Sequence, residues 1–358
     1  MIVKNITSIN YFTERFEYLD PPFSYRVVYH PDAPQNEFVS NHTFVGSFKN
    51  CLVHSLPILI TEDNHLITNH VWPLLDKIKN KPQKIHGLWN QWGDNIEIDL
   101  PPITKSFSEE STYVWLPIDE YSAENPWHIW IDVITKFRLL LHKRQQPLKK
   151  YVFVLSNPSN YFDRVIKELL PELKYFVLPK NTVWRFDELI VPSMSNHHDG
   201  IVVPPAIKWI NERFRTNCDK PFRKLFISRN DAPARKIANA DEVFMALNGW
   251  ETVTLSDMPV QRQIKIFSEA SHIISPHGAG LLNIVFSPPG ARVIEIAQKS
   301  LLDKKPYPIL SHVMMHKHTF LLADTIPLGT KKPRGVKRLK DYNNYKVDVK
   351  KLLESIER

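Results

Sequence analysis

The chain has 358 residues, of which 43% are hydrophobic and 23% are charged. This composition is typical of a folded protein and excludes a disordered or collagen-like chain. Because one hydrophobic core rarely organises more than ~250–300 residues, we expect two domains. The formal net charge is +8, and residues 331–340 carry six Lys and Arg side chains with no acidic residue. This local excess argues against a nucleic-acid-binding surface and predicts a peripheral contact with an anionic membrane.

The two cysteines, Cys51 and Cys218, form no CxxC pair and no Cys/His cluster at zinc spacing. We therefore expect neither a disulfide framework nor a structural zinc site, and a reducing compartment. The N-terminus lacks the apolar core of a signal peptide, and no segment approaches the ~18 apolar residues of a membrane span. These features predict a cytoplasmic protein, attached at most peripherally to the inner membrane.

The first 120 residues are rich in Pro, His and aromatic residues, with short strand-like pieces such as residues 51–60, and no topology is predicted for them. The first strong pattern is a helix over 125–143, with Pro126 near its start and apolar residues on most of its circumference. A βαβ alternation follows it. Its predicted elements are strand 151–156, helix 161–170, strand 174–179 and strand 182–192. The pattern indicates an N-terminal α/β domain over residues 1–203.

A double proline opens the next predicted helix, 204–215, where we place the domain boundary. Beyond it, short apolar strands alternate with helices, which predicts a parallel, Rossmann-like sheet in a domain over 204–340. The predicted strands are 224–229, 251–255, 271–276 and 291–296, and the helices are 239–249, 259–270 and 281–286. A strand over 317–324 and a final helix over 344–358, within a separate segment 341–358, complete the chain.

The sharpest local signal is Ser275–Leu281, with the sequence SPHGAGL. A strand ending at Pro276 and a helix beginning near Leu281 would leave backbone N–H groups free to bind a phosphate, and small residues would let it approach. The alternative is a tight turn that needs glycine. The segment is not GxGxxG, and no acidic residue follows at the spacing that holds a ribose, which argues against a nicotinamide-dependent dehydrogenase.

A second signal is the loop over 228–236, which contains Arg229, Arg235 and Lys236. It follows the predicted strand 224–229, and the carboxyl ends of strands are where open α/β sheets bind ligands. Arginine suits bidentate phosphate contacts, and lysine supplies a point charge. The loop could neutralise a diphosphate; a solvated basic loop is the alternative.

The third signal is a polar stripe on the predicted helix 125–143. His128 and Asp132 are four residues apart and share one face, and Thr135 follows them. Either ionisable side chain could act as a general base. A satisfied core pair or a solvent-facing edge is the commoner explanation of such a stripe.

Metal binding is weakly indicated. The candidates are two histidine-rich groups, His197, His198 and Asp199, and His312, His316 and His318. The chain lacks an Asp-x-Asp pair, which a metal-bound diphosphate would need, and it lacks a Walker loop and a Gly-x-Ser-x-Gly motif. We therefore expect no metal site and no resident cofactor.

Between residues 125 and 296 the chain resembles the family 61 glycosyltransferases of the capsular polysaccharide biosynthesis group. Asn125-Pro-x-His128-x-x-x-Asp132 resembles the helix motif of the family's N-terminal part. The pieces that resemble its C-terminal core are Ile227-Ser228-Arg229, Arg235-Lys236-x-x-Asn239 with Glu242, Gln263-Ile264-x-x-Phe267, His277-Gly278-Ala279-Gly280-Leu281 with Asn283, and Phe286-x-x-Pro289-Gly290 before Glu295. The first 120 residues match no part of the family.

The resemblance implies a GT-B-like α/β architecture, in which two Rossmann-like domains face a cleft and the C-terminal helix packs back on the N-terminal domain. It also implies inverting, metal-independent transfer from a nucleotide sugar, which we expect to be UDP-linked, to a glycan or glycolipid acceptor. Asp132 or His128 would be the base. The expected donor-binding residues are Ser228, Arg229, Arg235, Lys236, Gln263, His277, Gly278, Ala279, Gly280, Leu281, Asn283 and Glu295, the last on ribose or sugar hydroxyls. The alternative function is a non-catalytic nucleotide- or polyanion-binding protein.

Overall fold

The structure, a computed structural model, divides into two compact units. The first unit combines Met1–Pro22 with Asn41–His198, and the second unit combines Phe23–Ser40 with Asp199–Arg358. The second unit thus includes a stretch from the first 120 residues, which the sequence pattern did not indicate. The residues that the structure describes are 2–3, 5–7, 16–27, 36–40, 42–55, 58–67, 89–92, 95–98, 100–108, 110–118, 123–194, 196–197, 200–302, 306–327 and 343–357. The basic segment 331–340 lies outside them.

Strands and helices alternate along most of this part of the chain. The strands are β1 (Ile2–Val3), β2 (Asn5–Thr7), β3 (Phe16–Asp20), β4 (Ser24–Val27), β5 (Asn36–Val39), β6 (Thr43–His54), β7 (Ile58–Ile60), β8 (His65–Ile67), β9 (Trp89–Trp92), β10 (Asn95–Ile98), β11 (Ile103–Phe107), β12 (Thr112–Leu116), β13 (Tyr151–Leu155), β14 (Lys174–Val177), β15 (Val183–Pro192), β16 (Asn196–His197), β17 (Ile201–Val202), β18 (Arg223–Ile227), β19 (Glu251–Val253), β20 (Ala270–Pro276), β21 (Arg292–Ala297), β22 (Lys317–Leu322), β23 (Asp324–Ile326) and β24 (Asn344–Lys346).

Seven helices accompany these strands in the described ranges. They are α1 (Pro126–His128, continued as Ile129–Ile134 and Thr135–Arg144), α2 (Asn160–Leu169), α3 (Pro204–Phe214), α4 (Ala240–Ala246), α5 (Val260–Ser268), α6 (Pro306–Val313) and α7 (Val349–Glu357). Short 3₁₀ segments cover Leu148–Lys150, Ala279–Phe286 and Lys299–Leu301. None of the helices in the described part of the chain combines the length and apolar character that crossing a membrane requires.

The main sheet of the first unit is mixed. Its strands run in the order β14-β13-β12-β15-β6-β7-β8-β2, with β11 also pairing β15 and β3 also pairing β6. β13 and β14 are parallel neighbours, as the predicted βαβ alternation requires, and β12, which the sequence did not predict, pairs parallel with β13. β15 pairs antiparallel with the 12-residue strand β6, from Val183 opposite His54 to Pro192 opposite Val45. The parallel part of the sheet is confirmed, and an antiparallel part that the sequence did not predict extends it.

Helix α1 is anchored to this sheet by a buried ion pair. Arg138 donates to both carboxylate oxygens of Asp20, at 2.6 and 2.9 Å. Burial opposes the ionisation of Asp20, but hydrogen bonds from Arg138 and Thr43 outweigh it, and the pKa of Asp20 lies below its usual value. Removing one partner would leave a buried charge uncompensated, which costs roughly 3–5 kcal/mol. The pair fixes the helix that carries His128 and Asp132.

The second unit contains the expected parallel sheet. Its five strands run in the order β19-β18-β20-β21-β22, and every neighbouring pair is parallel. Numbered by their appearance in the chain, they give the order 2-1-3-4-5 of flavodoxin-like sheets. Helices α4 and α5 and the segment Ala279–Phe286 provide the first connections, as the sequence predicted for this region.

The C-terminal helix packs within the second unit, so the expectation that it packs back on the N-terminal domain is wrong. Leu352 of α7 is fully buried in one cluster with Phe226, Ile274 and Ile294 of the parallel sheet. Arg292 at the start of β21 donates to the carbonyl oxygen of Ile356 at 2.8 Å. The amphipathic helix finds its apolar partner on the sheet of its own unit, where burying a leucine contributes about 1.5–3 kcal/mol.

Candidate functional site

The strand order of the second unit creates a switch point between β18 and β20. β18 leads through α4 to β19 on one side of the sheet, whereas β20 leads to β21 on the other side. The loops after β18 and β20 therefore diverge at the carboxyl edge of the sheet, which is where open α/β sheets bind ligands. These are the loops that carry the cationic segment and the sequence SPHGAGL.

Gly278 makes room for an arginine. Its φ of 164° is extended backbone that any residue adopts, so the turn itself does not demand glycine there. A Cβ atom at Gly278 would lie 2.0 Å from Nη1 of Arg229 and 2.7 Å from its Cζ. At Gly280, a Cβ would meet the methyl groups of Leu255 and Ile227 at 3.1 and 3.3 Å. The glycine at 278 thus lets a guanidinium lie directly against the turn.

A second guanidinium reaches the same turn. Arg235 adopts a left-handed backbone conformation with φ 59°, which is uncommon for a residue with a side chain. Its Nη1 donates to the carbonyl oxygen of His277 at 2.8 Å. Burial and the neighbouring Arg235 charge both lower the pKa of Arg229, whose Nε lies 3.4 Å from the carbonyl oxygen of Ala234. Two like charges held close together favour an anionic ligand.

His277 is held by a buried carboxylate. Its Nδ1 is hydrogen-bonded to Oε1 of Glu295, and the other oxygen of Glu295 lies 3.1 Å from Nε2 of His318. Glu295 is fully buried, and burial opposes its ionisation, but the attraction and hydrogen bonds of the two imidazoles prevail and its pKa lies below its usual value. The structure therefore places Glu295 behind His277.

The remaining predicted donor residues differ in exposure and in contacts. Gln263 donates to the carbonyl oxygens of Leu255 and Met258, at 3.0 and 2.9 Å, and Asn283 donates to that of Gly280 at 3.2 Å. Both amides hold loops of the site. The hydroxyl of Ser228 accepts from the backbone of Asn230 at 3.3 Å, Leu281 is fully buried, and Ala279 is half-buried.

The C-terminal strand secures the cationic loop, a contact that the sequence analysis missed. The backbone N–H of Lys236 donates to Oδ1 of Asn344 at 3.0 Å, and its carbonyl oxygen accepts from Tyr345 at 2.8 Å. Tyr345 in turn accepts from Ala238 at 2.8 Å, and its side chain is fully buried. A fixed backbone at 236–238 keeps Arg235 in its left-handed conformation.

In the first unit, His128 and Asp132 form a close pair. Nδ1 of His128 lies 2.6 Å from Oδ2 of Asp132. The side chain of His128 is 38% exposed and that of Asp132 is 16% exposed, so the pair is reachable from solvent. Asp132 stands in the π-helical part of α1, Ile129–Ile134. Single π-turns inside α-helices are rare and recur at functional sites. Thr135 instead donates to the carbonyl oxygen of Ile131 at 2.6 Å.

Lys136 is a buried charge near this pair. Its side chain is 1% exposed, and burial lowers its pKa to about 8, against the opposing charge of Asp132. Lysine is rarely buried in full. The sequence signal was available, because Lys136 continues the stripe of His128 and Asp132 by one more helical turn.

The described residues bring no three His, Cys, Asp or Glu side chains together in a geometry that would hold a metal ion. His318 is engaged with Glu295, and burial lowers the pKa of His316 to about 4. His198 and Asp199 lie outside the described residues, as does the side chain of His197. The independence from metals stays a prediction.

Comparison with known proteins agrees with the resemblance seen in the sequence. A protein of Oryza sativa subsp. japonica named beta-1,2-xylosyltransferase RCN11 is 28% identical over 107 residues, which cover 25% of this chain and 20% of that protein. The match therefore spans about a fifth of the relative's length. Residues 123–294, which contain the His128–Asp132 pair and all of the predicted donor-binding residues except Glu295, match the family described as Glycosyltransferase 61. Over this region the chain is similar to the glycosyltransferase 61 family.

Proposed function

We propose that this protein is an inverting glycosyltransferase. It moves a sugar from a nucleoside-diphosphate sugar, UDP-linked, to a hydroxyl of a glycan or glycolipid acceptor in surface or capsular polysaccharide synthesis. The family match supports glycosyl transfer in general. The observation that carries the finer proposal is the convergence of Arg229 and Arg235 on the turn at 277–280, at the switch point of a parallel sheet.

The leaving group is a nucleoside diphosphate, which gains negative charge as the bond to the anomeric carbon breaks. Arg229, Arg235 and Lys236 offset that charge, and backbone N–H groups of residues 278–280 bind phosphate oxygens, since that of His277 already donates to the carbonyl oxygen of Ile296. Donors that are in place before the reaction need no reorganisation, which makes such stabilisation effective in catalysis. The strand β24, in which Tyr345 is buried, keeps the loop in this arrangement.

The acceptor hydroxyl needs a base to remove its proton. We assign this role to Asp132, with His128 as the alternative, because the two form a hydrogen-bonded pair that solvent reaches. The deprotonated oxygen attacks the anomeric carbon on the face opposite the leaving group, so the configuration inverts. The proton passes to the base, and the electron pair of the broken bond leaves with the diphosphate.

We further propose that the protein acts in the cytoplasm, against the inner membrane. The basic segment 331–340 would contact anionic lipid headgroups there. This location would bring a glycolipid acceptor to the enzyme.

A thermal-shift screen with UDP-, GDP- and CMP-sugars tests the donor site. A ligand that binds the folded state at 100 times its Kd stabilises it by about 2.7 kcal/mol. We expect a UDP-sugar to raise the melting temperature of the wild type and to have a much smaller effect on Arg235→Ala. Hydrolysis or transfer assays with the stabilising donor then test catalysis. Nucleotide binding without turnover on any acceptor would instead support a non-catalytic binding protein.

A further inference from the structure

His277 is the outer end of a chain of four side chains from four elements of the second unit. Glu295 on β21 joins His277, which follows β20, to His318 on β22, 3.1 Å away. Nδ1 of His318 lies 2.9 Å from the hydroxyl of Ser311 on α6. Glu295 and Ser311 are fully buried, and the His318 side chain is 6% exposed.

The hydrogen bonds determine the tautomers. An ionised carboxylate only accepts, so Nδ1 of His277 and Nε2 of His318 must both carry hydrogens. Nδ1 of a neutral His318 then has a lone pair, which matches donation by the Ser311 hydroxyl. Neutral His277 is left with an unprotonated Nε2. The carboxylate thus fixes which nitrogen of His277 carries the hydrogen and which one, Nε2, is left to accept a proton.

Charges from several elements face His277. Burial lowers the pKa of His277. The charge and hydrogen bond of Glu295 raise that pKa, whereas the positive charges of Arg235 and Arg229 lower it. The ring of Tyr307 on α6 packs edge-on at 5.2 Å between centroids. Burial keeps that phenol protonated by raising its pKa well above the usual value. Burial and the two arginine charges therefore favour neutral His277. A bound diphosphate would cancel the arginine charges and add its own negative charge to that of Glu295, and both attractions raise the pKa of His277 against the effect of burial.

We propose that His277 takes up a proton from solvent when the anionic donor binds, and that Glu295, His318 and Ser311 are positioning residues that hold the imidazole for this role. The inference rests on the proposed donor site. Nε2 of His277 then donates a charge-assisted hydrogen bond to a phosphate oxygen, while Glu295 stays ionised behind it. Neither Glu295 nor His318 needs to touch the nucleotide.

Calorimetric titration with UDP at pH 7.5, in Tris and in HEPES, measures the proton uptake from the difference between the two heats. For the wild type we expect an uptake of between about half a proton and one proton per UDP. The affinity for UDP should also fall as the pH rises, by a factor that approaches about tenfold per pH unit. His277→Gln should bind with no proton uptake and no such pH dependence. His318→Phe, which leaves His277 in place, should reduce both the affinity and the uptake.

His272→Gln is the matched control, because His272 lies on β20 and contacts Ser271 rather than Glu295. It should keep the wild-type uptake. Binding of UDP without proton uptake by the wild type would overturn this inference and leave the donor site standing, as would unchanged uptake in His277→Gln. Titrations in which UDP, GDP and CDP all fail to bind would contradict the proposed donor site, and the proton uptake with it. Circular dichroism of each variant shows whether it is folded.

Discussion

Two of the pairs of a histidine and a carboxylate in the described part of the chain have sharply different surroundings. His128 and Asp132 lie within one helix, and the histidine is 38% exposed. His277 and Glu295 come from neighbouring parallel strands, and the carboxylate is 0% exposed. A pair that solvent reaches can exchange a proton with a bound hydroxyl. A buried carboxylate has no access to a ligand and instead fixes the hydrogen position and the charge of its histidine.

Burial therefore gives similar side chains different chemistry. In the proposed function, the helix pair, His128 and Asp132, takes the proton of the acceptor hydroxyl, and the sheet pair, His277 and Glu295, lies beside Arg229 and Arg235 where the anionic donor binds. The difference follows from burial, since each exposed ionisable group is solvated and each buried one needs a partner. Variants of the two pairs should therefore affect different steps.

The largest effect is expected for the helix pair. Asp132→Asn preserves size and most hydrogen bonding but removes basicity, so turnover should fall about 10²–10⁴-fold with nearly unchanged donor affinity. Steady-state kinetics with a calorimetric Kd measure both quantities. Asp187→Asn, at an exposed position of β15, is the control. If Asp132 only orients His128, then His128→Ala will be the more damaging change; if both variants keep most of their turnover, the base lies elsewhere.

An intermediate effect is expected at the turn. Gly278→Ala places a methyl group where the Arg229 guanidinium lies, so the arginine must move. Loss of a hydrogen bond to a charged group costs about 1.5–3 kcal/mol, or roughly 10–100-fold in nucleotide affinity. Gly280→Ala meets only side-chain methyl groups at 3.1 Å or more and should bind nucleotide more nearly like the wild type. If Gly278→Ala and Gly280→Ala bind nucleotide with equal affinity, then the position of the Arg229 guanidinium does not matter for donor binding.

A smaller effect is expected on stability, from Lys136. Its pKa of about 8 in the folded protein lies below its ordinary value, so the unfolded chain binds more protons between about pH 8 and 10.5, and stability rises with pH across that window. Below pH 8 the burial cost is present in full. Lys136→Met should therefore stabilise the protein at pH 7 by roughly 2–4 kcal/mol, and by less at pH 10.

Urea denaturation at the two pH values measures this difference. Lys143→Met is the control, because Lys143 lies on the same helix and is only half-buried. Destabilisation of Lys136→Met at pH 7 would mean that the charge is more than compensated by Asp132. That result would show that the Lys136 charge interacts with Asp132 strongly enough to stabilise the protein.

The smallest effect is expected from metal removal. The proposed leaving-group site uses Arg229, Arg235 and Lys236, and the chain has no Asp-x-Asp motif. Transfer or donor hydrolysis should therefore continue at the same rate in EDTA. Complete loss of activity that manganese restores would show that the cations do not suffice for the diphosphate.

Much of the second unit could be predicted from local pattern. The strand β20 and the segment Ala279–Phe286 lie within two residues of the predicted boundaries, because an apolar run indicates a buried strand and glycine marks the turn that ends it. The cationic loop was found for the same reason, since it follows an obvious strand. The close contact of Arg229 with Gly278 was not predicted, because it depends on where two loops meet.

The first unit was predicted less completely. Helix α1 and the parallel strands β13 and β14 have strong periodicity or clear alternation, whereas β12 lies in the first 120 residues, for which no topology was predicted. β6 pairs antiparallel with β15, more than 120 residues away in the chain. No local signal specifies such a partner, because strand pairing is decided by long-range packing. The GT-B-like arrangement of two domains around a cleft stays a prediction.

The sequence by itself determined the alternation of strands and helices in the second unit, the glycine-containing turn after β20, the cationic loop and the similarity to the glycosyltransferase 61 family. Residue spacing, glycine placement and local charge indicate those features, and each of these signals spans only a few residues. Only the tertiary structure decided that Glu295 supports His277 from a buried position, that Tyr345 secures the loop at Lys236, and that the last helix packs on its own unit. These contacts join residues 18 or more positions apart, and their partners are chosen by strand register and core packing, which no local pattern encodes.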